Sequence, residues 1–292
     1  MEITKGQHFV WRKYLDNWSA NDKVFYKDIK RNISTLCSTS SILRENYMYE
    51  FPILNTLDLD NLKKYIAKLN FNNNGEVDEI FLNIITMISA PFRVGKLTCS
   101  DILKTKSNVI RKTIKEGFEP FYTEIELFGQ DLISITSSKG LISLLSVDYL
   151  KISLFILVQY FRTQNMKSKL LDLLSKDSEG LRKAKSLLTP ILIAFDIASQ
   201  KTPSFKIIVN NSTENFVTSE QPVINIAGET DQNGNYLDFI LYYPINPKLA
   251  IEVSFSNDEM YVESESCDSN GAQWYNKKML DNNIIISDIK LD

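Results

Sequence analysis

The amino-acid sequence predicts an α+β fold in which strands near both ends of the chain enclose a helical middle. Runs rich in β-branched and aromatic residues lie toward both ends, with amphipathic or apolar segments between them. The 292 residues are 43% hydrophobic and 24% charged, which is enough apolar material for a sizeable core. We therefore expect a single domain over residues 1–292, with a mixed or antiparallel sheet built from N- and C-terminal strands.

The N-terminal part is expected to contain a short helix followed by a strand. After Val10, apolar side chains recur every three or four positions, as on one face of a helix. They are Trp11, Tyr14, Leu15 and Trp18. Residues 19–22 break the pattern and residues 23–27 have the composition of a strand. The Ser/Thr-rich residues 32–41 are expected to form a loop.

The middle of the chain is predicted to be mostly helical, with a helical insertion over about residues 55–140. The clearest helix covers residues 147–163, which follow Ser146, a suitable N-cap residue. From about residue 203 to 292 the sequence is β-rich, with Asn, Gly and Pro turns. The predicted strands are 205–209, 215–218, 237–243, 250–255 and 284–286, and one more helix is predicted at 273–280.

Composition and charge narrow the class of partner. The net charge is −3, so no overall basic field indicates nucleic acid or membrane. Three widely spaced cysteines, no apolar signal region and an interrupted apolar stretch at 150–161 predict a soluble cytoplasmic protein without a membrane partner. Without a glycine-rich phosphate loop or paired metal-ligand spacing, we expect no cofactor and no metal. A protein partner or a homo-oligomer stays open.

The chain contains one histidine, His8. An imidazole can be a general acid, a general base or a metal ligand near neutral pH, or a packed side chain bonded to a backbone carbonyl. Gln7 precedes it, and Arg12 and Asn17 follow one or two helical turns later. These neighbours either present substrate-binding donors beside His8 or belong to the solvated face of the helix.

A second candidate fragment lies inside the most apolar helix, where Gln159 and Arg162 share one stripe. Burying an amide or a guanidinium costs several kcal/mol unless the group is hydrogen-bonded, so both side chains need partners. Arg162 is either a structural tie to a loop or a fixed cationic fork for a phosphate or a carboxylate.

A third candidate fragment is the end of an apolar strand, where Ser219 and Glu220 precede Pro222. Side chains just past the end of a strand commonly line a site because the sheet holds them rigidly. Glu220 either orients His8, acts as a base itself, or merely belongs to a turn.

Together these fragments resemble the bacterial domain-of-unknown-function family 4238. The family pattern is a Gln-His-Phe/Tyr-Val-Pro start, a Gln-x-x-Arg-Thr helix, a Phe-Ile-Thr-Ser-Asp-x-Pro segment and a Phe-Pro-Leu-Ser-Pro segment. The corresponding segments of this chain are 7–10, 159–163, 216–222 and 243–247, in the same order. Trp11, Glu220 and Asn246 stand where the family has Pro, Asp and Ser. The resemblance implies polar positions that converge on one site, but it implies no activity.

We expect metal-independent hydrolysis of a phosphate-bearing substrate, with RNA as the first choice. In this hypothesis His8 is the general acid or base, Glu220 orients it or transfers a second proton, and Arg162 neutralises charge on phosphorus. Gln159 and Ser219 join the substrate-binding side chains named above. RNase-like toxins and phage-defence effectors use such chemistry, which is an analogy only.

The competing hypothesis is a non-enzymatic binding or regulatory module of a bacterial defence or toxin system. The same polar side chains then form a buried network that fixes the fold, and the helical middle presents a partner surface. Exposed aromatic side chains are expected on that surface, with Trp11, Trp18 and Tyr47 as candidates.

Overall fold

The computed structural model describes residues 6–50, 52, 54, 56–67, 112, 115–227 and 239–290. The strands in these residues are β1 (Gly6–His8), β2 (Lys23–Asp28), β3 (Ile33–Ser38), β4 (Arg44–Asn46), β5 (Thr202–Asn210), β6 (Thr218–Ser219), β7 (Ile224–Asn225), β8 (Ile240–Asn246), β9 (Leu249–Ser256), β10 (Val262–Cys267) and β11 (Ile284–Ser287). The helices are α1 (Arg12–Asp16), α2 (Thr56–Ala67), α3 (Glu119–Phe128), α4 (Gln130–Ser134), α5 (Ser138–Phe161), α6 (Gln164–Leu173), α7 (Glu179–Gln200) and α8 (Ser269–Met279).

The described strands form three sheets, and the α+β class predicted from the sequence is confirmed. A four-stranded sheet of order β3-β2-β11-β6 joins N- and C-terminal strands. A five-stranded sheet of order β10-β5-β9-β8-β7 contains C-terminal strands alone, and β1 pairs with β4 in a third sheet. Neighbouring strands are antiparallel except β10 and β5, which are parallel.

The N-terminal helix forms where the apolar spacing predicts it. Tyr14 and Trp18 are buried, and their rings meet edge to face with centroids 6.2 Å apart. Asn21 and Asp22 then adopt φ values of 54° and 58°, a left-handed conformation that Asn and Asp tolerate better than other side chains. This turn sends the chain into β2.

Helix α5 lies in the hydrophobic core and positions the second candidate fragment. It begins at Ser138, where the Ser137 hydroxyl accepts a hydrogen bond from the Gly140 N–H at 3.2 Å, so the expected start after Ser146 is wrong. Asp148 has non-helical angles (φ −106°, ψ 26°) inside the helix, and this kink separates a more exposed first part from an apolar second part. Residues 152–160 are all buried.

Helix α5 is also the one described helix that is long and apolar enough to cross a membrane. Its most apolar window has a mean hydropathy of 2.0, and 56% of that window is buried inside the protein. Helix α7 and strand β5 pack against α5. Burial by neighbouring elements is the environment of a core helix in a soluble protein.

Five of the described strands, β1, β3, β4, β7 and β10, lie where the sequence did not indicate a strand. β3 falls within the predicted loop at 32–41, and four of its six residues are exposed, so it lacks the alternation of a half-buried strand. β10 is mostly polar and exposed, and its parallel pairing with β5 defines it as a strand. Most of the predicted helical insertion at about 55–140 lies outside the described residues. The single domain over 1–292 stays a prediction.

Candidate functional site

Arg162 lies directly after α5 and is almost fully buried. The exposed fraction of its side chain is 1%, and its Nη2 donates to Glu126 Oε1 at 2.8 Å. Its guanidinium carbon lies 5.5 Å from the ring centroid of Tyr122, within range of a cation–π interaction. Nε and Nη1 are buried and donate to no acceptor among the described residues. Two donor groups of a buried cation thus lack partners in this part of the chain, which is energetically costly unless an acceptor approaches.

Gln159, in the last turn of α5, carries a third donor without a partner. The residue is buried, and its Nε2 has no hydrogen-bond partner among the described residues. Because Gln159 precedes Arg162 by three positions, their side chains project from the same face of the chain. The predicted burial of both residues is confirmed. Amide and guanidinium N–H groups are donors of the kind that bind phosphate or carboxylate oxygens.

Glu126 reaches Arg162 because α3 turns one polar stripe toward the core. Glu119, Tyr122 and Glu126 are separated by three and four positions and thus share a helix face. Burial raises the pKa of Glu126, while the charge of Arg162 and its hydrogen bond act in the opposite direction. The Glu126 side chain keeps 17% of its surface exposed, so this end of the ion pair lies closer to solvent.

His8 ends β1 and is half-buried. Its Nε2 lies 3.3 Å from the carbonyl oxygen of Thr39. Burial lowers the pKa of His8, and the charges of Arg44, Arg12 and Arg162 lower it further, whereas the Thr39 carbonyl acts in the opposite direction. The imidazole is therefore neutral near pH 7, the form in which it can accept a proton.

Buried aromatic residues connect His8 to Arg162. The Tyr49 hydroxyl donates to the backbone carbonyl of His8 at 3.0 Å. The Tyr49 ring stacks on Tyr122 with centroids 4.6 Å apart, and Tyr122 lies against Arg162. The structure therefore brings two of the three predicted catalytic residues, His8 and Arg162, into one cluster.

Gln7 holds β1 against the other elements of this cluster. Its Oε1 accepts a hydrogen bond from the Tyr49 N–H at 2.8 Å, and its Nε2 donates to Glu119 Oε2 at 2.9 Å. Burial raises the pKa of Glu119, and the hydrogen bond from Gln7 acts in the opposite direction. Both ends of the Gln7 amide are thus occupied inside the protein.

The surface beside His8 carries two exposed arginines. Arg44 faces His8 across the β1–β4 pair, and Arg12 begins α1. Neither forms an ion pair or a hydrogen bond among the described residues, and both lower the pKa of His8. Asn17 has a different setting, because its Nδ2 donates to the carbonyls of Ile133 at 2.7 Å and Ile245 at 3.0 Å.

Ser219 and Glu220 lie at the edge formed by β6 and β11. The Glu220 carboxylate accepts the backbone N–H groups of Asn283 at 2.9 Å and Ile284 at 2.5 Å, and burial raises its pKa. The Ser219 hydroxyl donates to Gln221 O at 2.9 Å and accepts from Gln221 N–H at 3.1 Å. No hydrogen bond or ion pair of the described residues joins Glu220 to His8.

Sequence reasoning missed Tyr49, Glu126 and Arg44. The spacing of acidic and aromatic residues in α3 is a signal for Glu126, but residues 118–145 carry no clear period overall. Arg44 begins the three-residue strand β4 and Tyr49 lies in the turn after it, so the position of both depends on tertiary pairing. Among the described residues, no group of three or more His, Cys, Asp and Glu side chains is arranged to hold a metal ion.

The fold and this cluster define an α+β protein with a half-buried histidine set among arginines. The family comparison agrees with the resemblance noted from the sequence: the model described as Protein of unknown function (DUF4238) matches residues 6–284. The chain belongs to this family. No curated protein and no solved structure matches the chain.

Proposed function

We propose that this protein is a metal-independent hydrolase of phosphate-bearing substrates and that RNA is the first substrate to test. The observation that carries the proposal is the setting of His8, a half-buried imidazole whose pKa is lowered by burial and by three arginines. A neutral base next to concentrated positive charge suits attack on a phosphodiester. The proposal extends to a cytoplasmic toxin or phage-defence effector.

The tautomer of His8 supplies the base. A carbonyl oxygen can only accept, so the contact with Thr39 assigns the proton of the neutral ring to Nε2 and leaves Nδ1 as the acceptor. Nδ1 takes the proton of the ribose 2′-hydroxyl, and the 2′-oxygen attacks phosphorus. The bond to the 5′-oxygen breaks and a 2′,3′-cyclic phosphate remains. The leaving 5′-oxygen takes a proton from a water molecule, and the protonated imidazole gives its proton to the hydroxide ion that this leaves, which restores neutral His8.

In the proposed mechanism, two arginines contact the substrate phosphate and a third acts through its charge alone. Arg12 and Arg44 are exposed, so they are the side chains that meet the phosphate. Arg162 acts from beneath, since its buried charge adds to the field at His8. Glu220 has no role in the proposed mechanism, because its carboxylate accepts hydrogen bonds from two backbone N–H groups. The Thr39 carbonyl orients His8 instead.

The test is cleavage of a fluorescent single-stranded RNA by purified protein in excess EDTA. His8→Ala is expected to lower the rate by about 100-fold or more, the usual contribution of a general base. Arg44→Gln is expected to lower the cleavage rate and to make that rate less dependent on salt concentration. Lys139→Gln, an exposed lysine at the start of α5, is the matched control and should cleave normally.

Substrate chemistry provides a second check. RNA with a single 2′-deoxy sugar at the cleaved position should resist cleavage, because the attacking hydroxyl is missing. A folded His8→Ala variant that keeps full cleavage, or equal cleavage of the deoxy substrate, would contradict the proposal.

A second candidate function, a binding or regulatory module, is favoured by one specific observation. The side-chain donors of three candidate residues are hydrogen-bonded inside the protein, as expected of a structural network. These residues are Gln7, Asn17 and Ser219. Trp11 and Trp18 are buried, so the expectation that they form a partner surface is wrong. Loss of cellular activity on substitution of the exposed Trp274, with His8→Ala fully active, would favour this module over the hydrolase.

A further inference from the structure

A polar cleft lies apart from the cluster around His8, between α6, β7 and the end of α8. Its volume is about 320 Å³, at the lower end of the roughly 300–1,000 Å³ that small-molecule pockets occupy. We name it the Lys169 cleft. Its charged side chains are Lys169, Lys278 and Asp281, and its amide side chains are Asn165, Gln221, Asn225 and Asn282.

Two lysines give the Lys169 cleft a cationic side. Lys169 is exposed and forms no ion pair or hydrogen bond among the described residues. The Lys278 ammonium lies 5.4 Å from the ring centroid of Trp274, within range of a cation–π contact, and it forms no ion pair or hydrogen bond with the described residues. Both cations are thus available to a phosphate group.

Amide and carboxylate groups also line the cleft, beside the two lysines. Gln221 Oε1 accepts from Asn165 Nδ2 at 3.2 Å, so the Gln221 side chain is held in place, and its Nε2 donates to no acceptor in the described part of the chain. Asn282 donates to the Met279 carbonyl at 2.9 Å, and its side-chain oxygen accepts no hydrogen bond from the described residues. Asp281 is exposed and unpaired in the described part of the chain. These oxygens accept from ligand hydroxyl, imino or amino groups.

Two other cavities lack this combination. One lies between the ends of β5 and β10 and is lined by small polar residues, and its charged member, Asp268, already caps α8. The other has a volume of about 140 Å³ and is lined mainly by apolar side chains of α6 and α7.

We propose that the Lys169 cleft binds a nucleoside monophosphate, with the phosphate on Lys169 and Lys278 and the nucleoside on the amide side chains and Asp281. Phosphate alone would leave the hydrogen-bond acceptors and most of the volume unused, and a nucleoside alone would leave both cations unpaired. This site uses none of the residues assigned to RNA cleavage, so it stands independently of the proposed function.

Isothermal titration calorimetry tests the proposal with the four ribonucleoside monophosphates, ribose 5-phosphate, adenosine and inorganic phosphate. At least one nucleotide is expected to bind one to one and about tenfold or more tighter than the fragments. Lys169→Gln and Lys278→Gln are each expected to weaken it about tenfold, the usual value of a charge-assisted hydrogen bond. Lys176→Gln, an exposed lysine just beyond α6, is the matched control.

The outcomes separate this site from the one at His8. Nucleotide binding that survives His8→Ala and fails in the two lysine variants supports the proposal, whether or not RNA is cleaved. Binding that fails in His8→Ala and survives in the lysine variants overturns it. No nucleotide binding at millimolar concentration also overturns it, as does inorganic phosphate binding as tightly as any nucleotide.

Discussion

Replacing Glu126 with Gln removes the carboxylate charge that pairs with Arg162 while nearly preserving the size of the side chain. The Arg162 side chain is 1% exposed, so the remaining cation cannot reach water without local unfolding. Removing one partner of a buried pair costs about 3–5 kcal/mol, and because Gln still offers an oxygen we expect about 3 kcal/mol. Arg162→Met should cost less, about 1–2 kcal/mol, since the partly exposed Glu126 can hydrate or take up a proton.

Urea unfolding at pH 7, followed by far-ultraviolet circular dichroism, measures this asymmetry. Glu124→Gln, an exposed glutamate on the same helix, is the matched control and should change stability by less than about 0.5 kcal/mol. The double variant Glu126→Gln/Arg162→Met should be more stable than Glu126→Gln alone, because no buried cation remains. A loss in Glu126→Gln below that in Arg162→Met would refute the argument from the buried, partly unpaired guanidinium.

Three further predictions concern His8, Gly129 and Glu220. Because the folded-state pKa of His8 lies below its ordinary value of 6.5, the unfolded chain binds the proton more readily. Stability present above pH 6.5 should therefore fall as the pH drops through 6.5 and lower, and His8→Gln should flatten that slope in unfolding titrations. A Cβ at Gly129 would lie 2.5 Å from the ring of the buried Phe155, so Gly129→Ala should lose about 1–3 kcal/mol and regain part of it with Phe155→Leu, measured by thermal unfolding. Glu220→Ala should lose about 2 kcal/mol, since two backbone N–H groups at the start of β11 lose their acceptor. RNA cleavage per folded molecule should stay unchanged in Glu220→Ala, and a loss of cleavage at full stability would return Glu220 to the mechanism.

The periodic parts of the fold could be predicted from the sequence, and the parts defined by pairing could not. The helix after Val10 and the strands β5, β8 and β9 have the spacing or composition of buried elements, and they form near the expected positions. β3 lies at the edge of its sheet with Ile33 and Leu36 45% and 49% exposed, so burial imposes no alternation on it. β3 is a strand because it pairs with β2, and the local sequence of β3 does not encode that pairing.

The same division applies to the candidate site. The apolar surroundings of Gln159 and Arg162 are local to α5, so their burial followed from the sequence. The partner of Arg162 comes from α3, 36 positions earlier, and depends on how two helices pack. Glu220 had the expected residue type at the end of a strand, but that end faces β11 and the turn before it, whose backbone occupies the carboxylate.

The residues of the family pattern fall into two groups, according to whether their hydrogen-bonding groups have partners inside the protein. Gln7 and Ser219 have their polar groups occupied inside the protein, and replacing them chiefly threatens the fold. Gln159, Arg162 and His8 keep donors or an acceptor without partners among the described residues, although two of the three are buried. A fold gains no stability from unpaired buried donors, so their retention indicates a role other than stability. Because the Arg162 side chain is 1% exposed, a substrate would contact His8 and the exposed Arg12 and Arg44, and Arg162 would act on it through its charge.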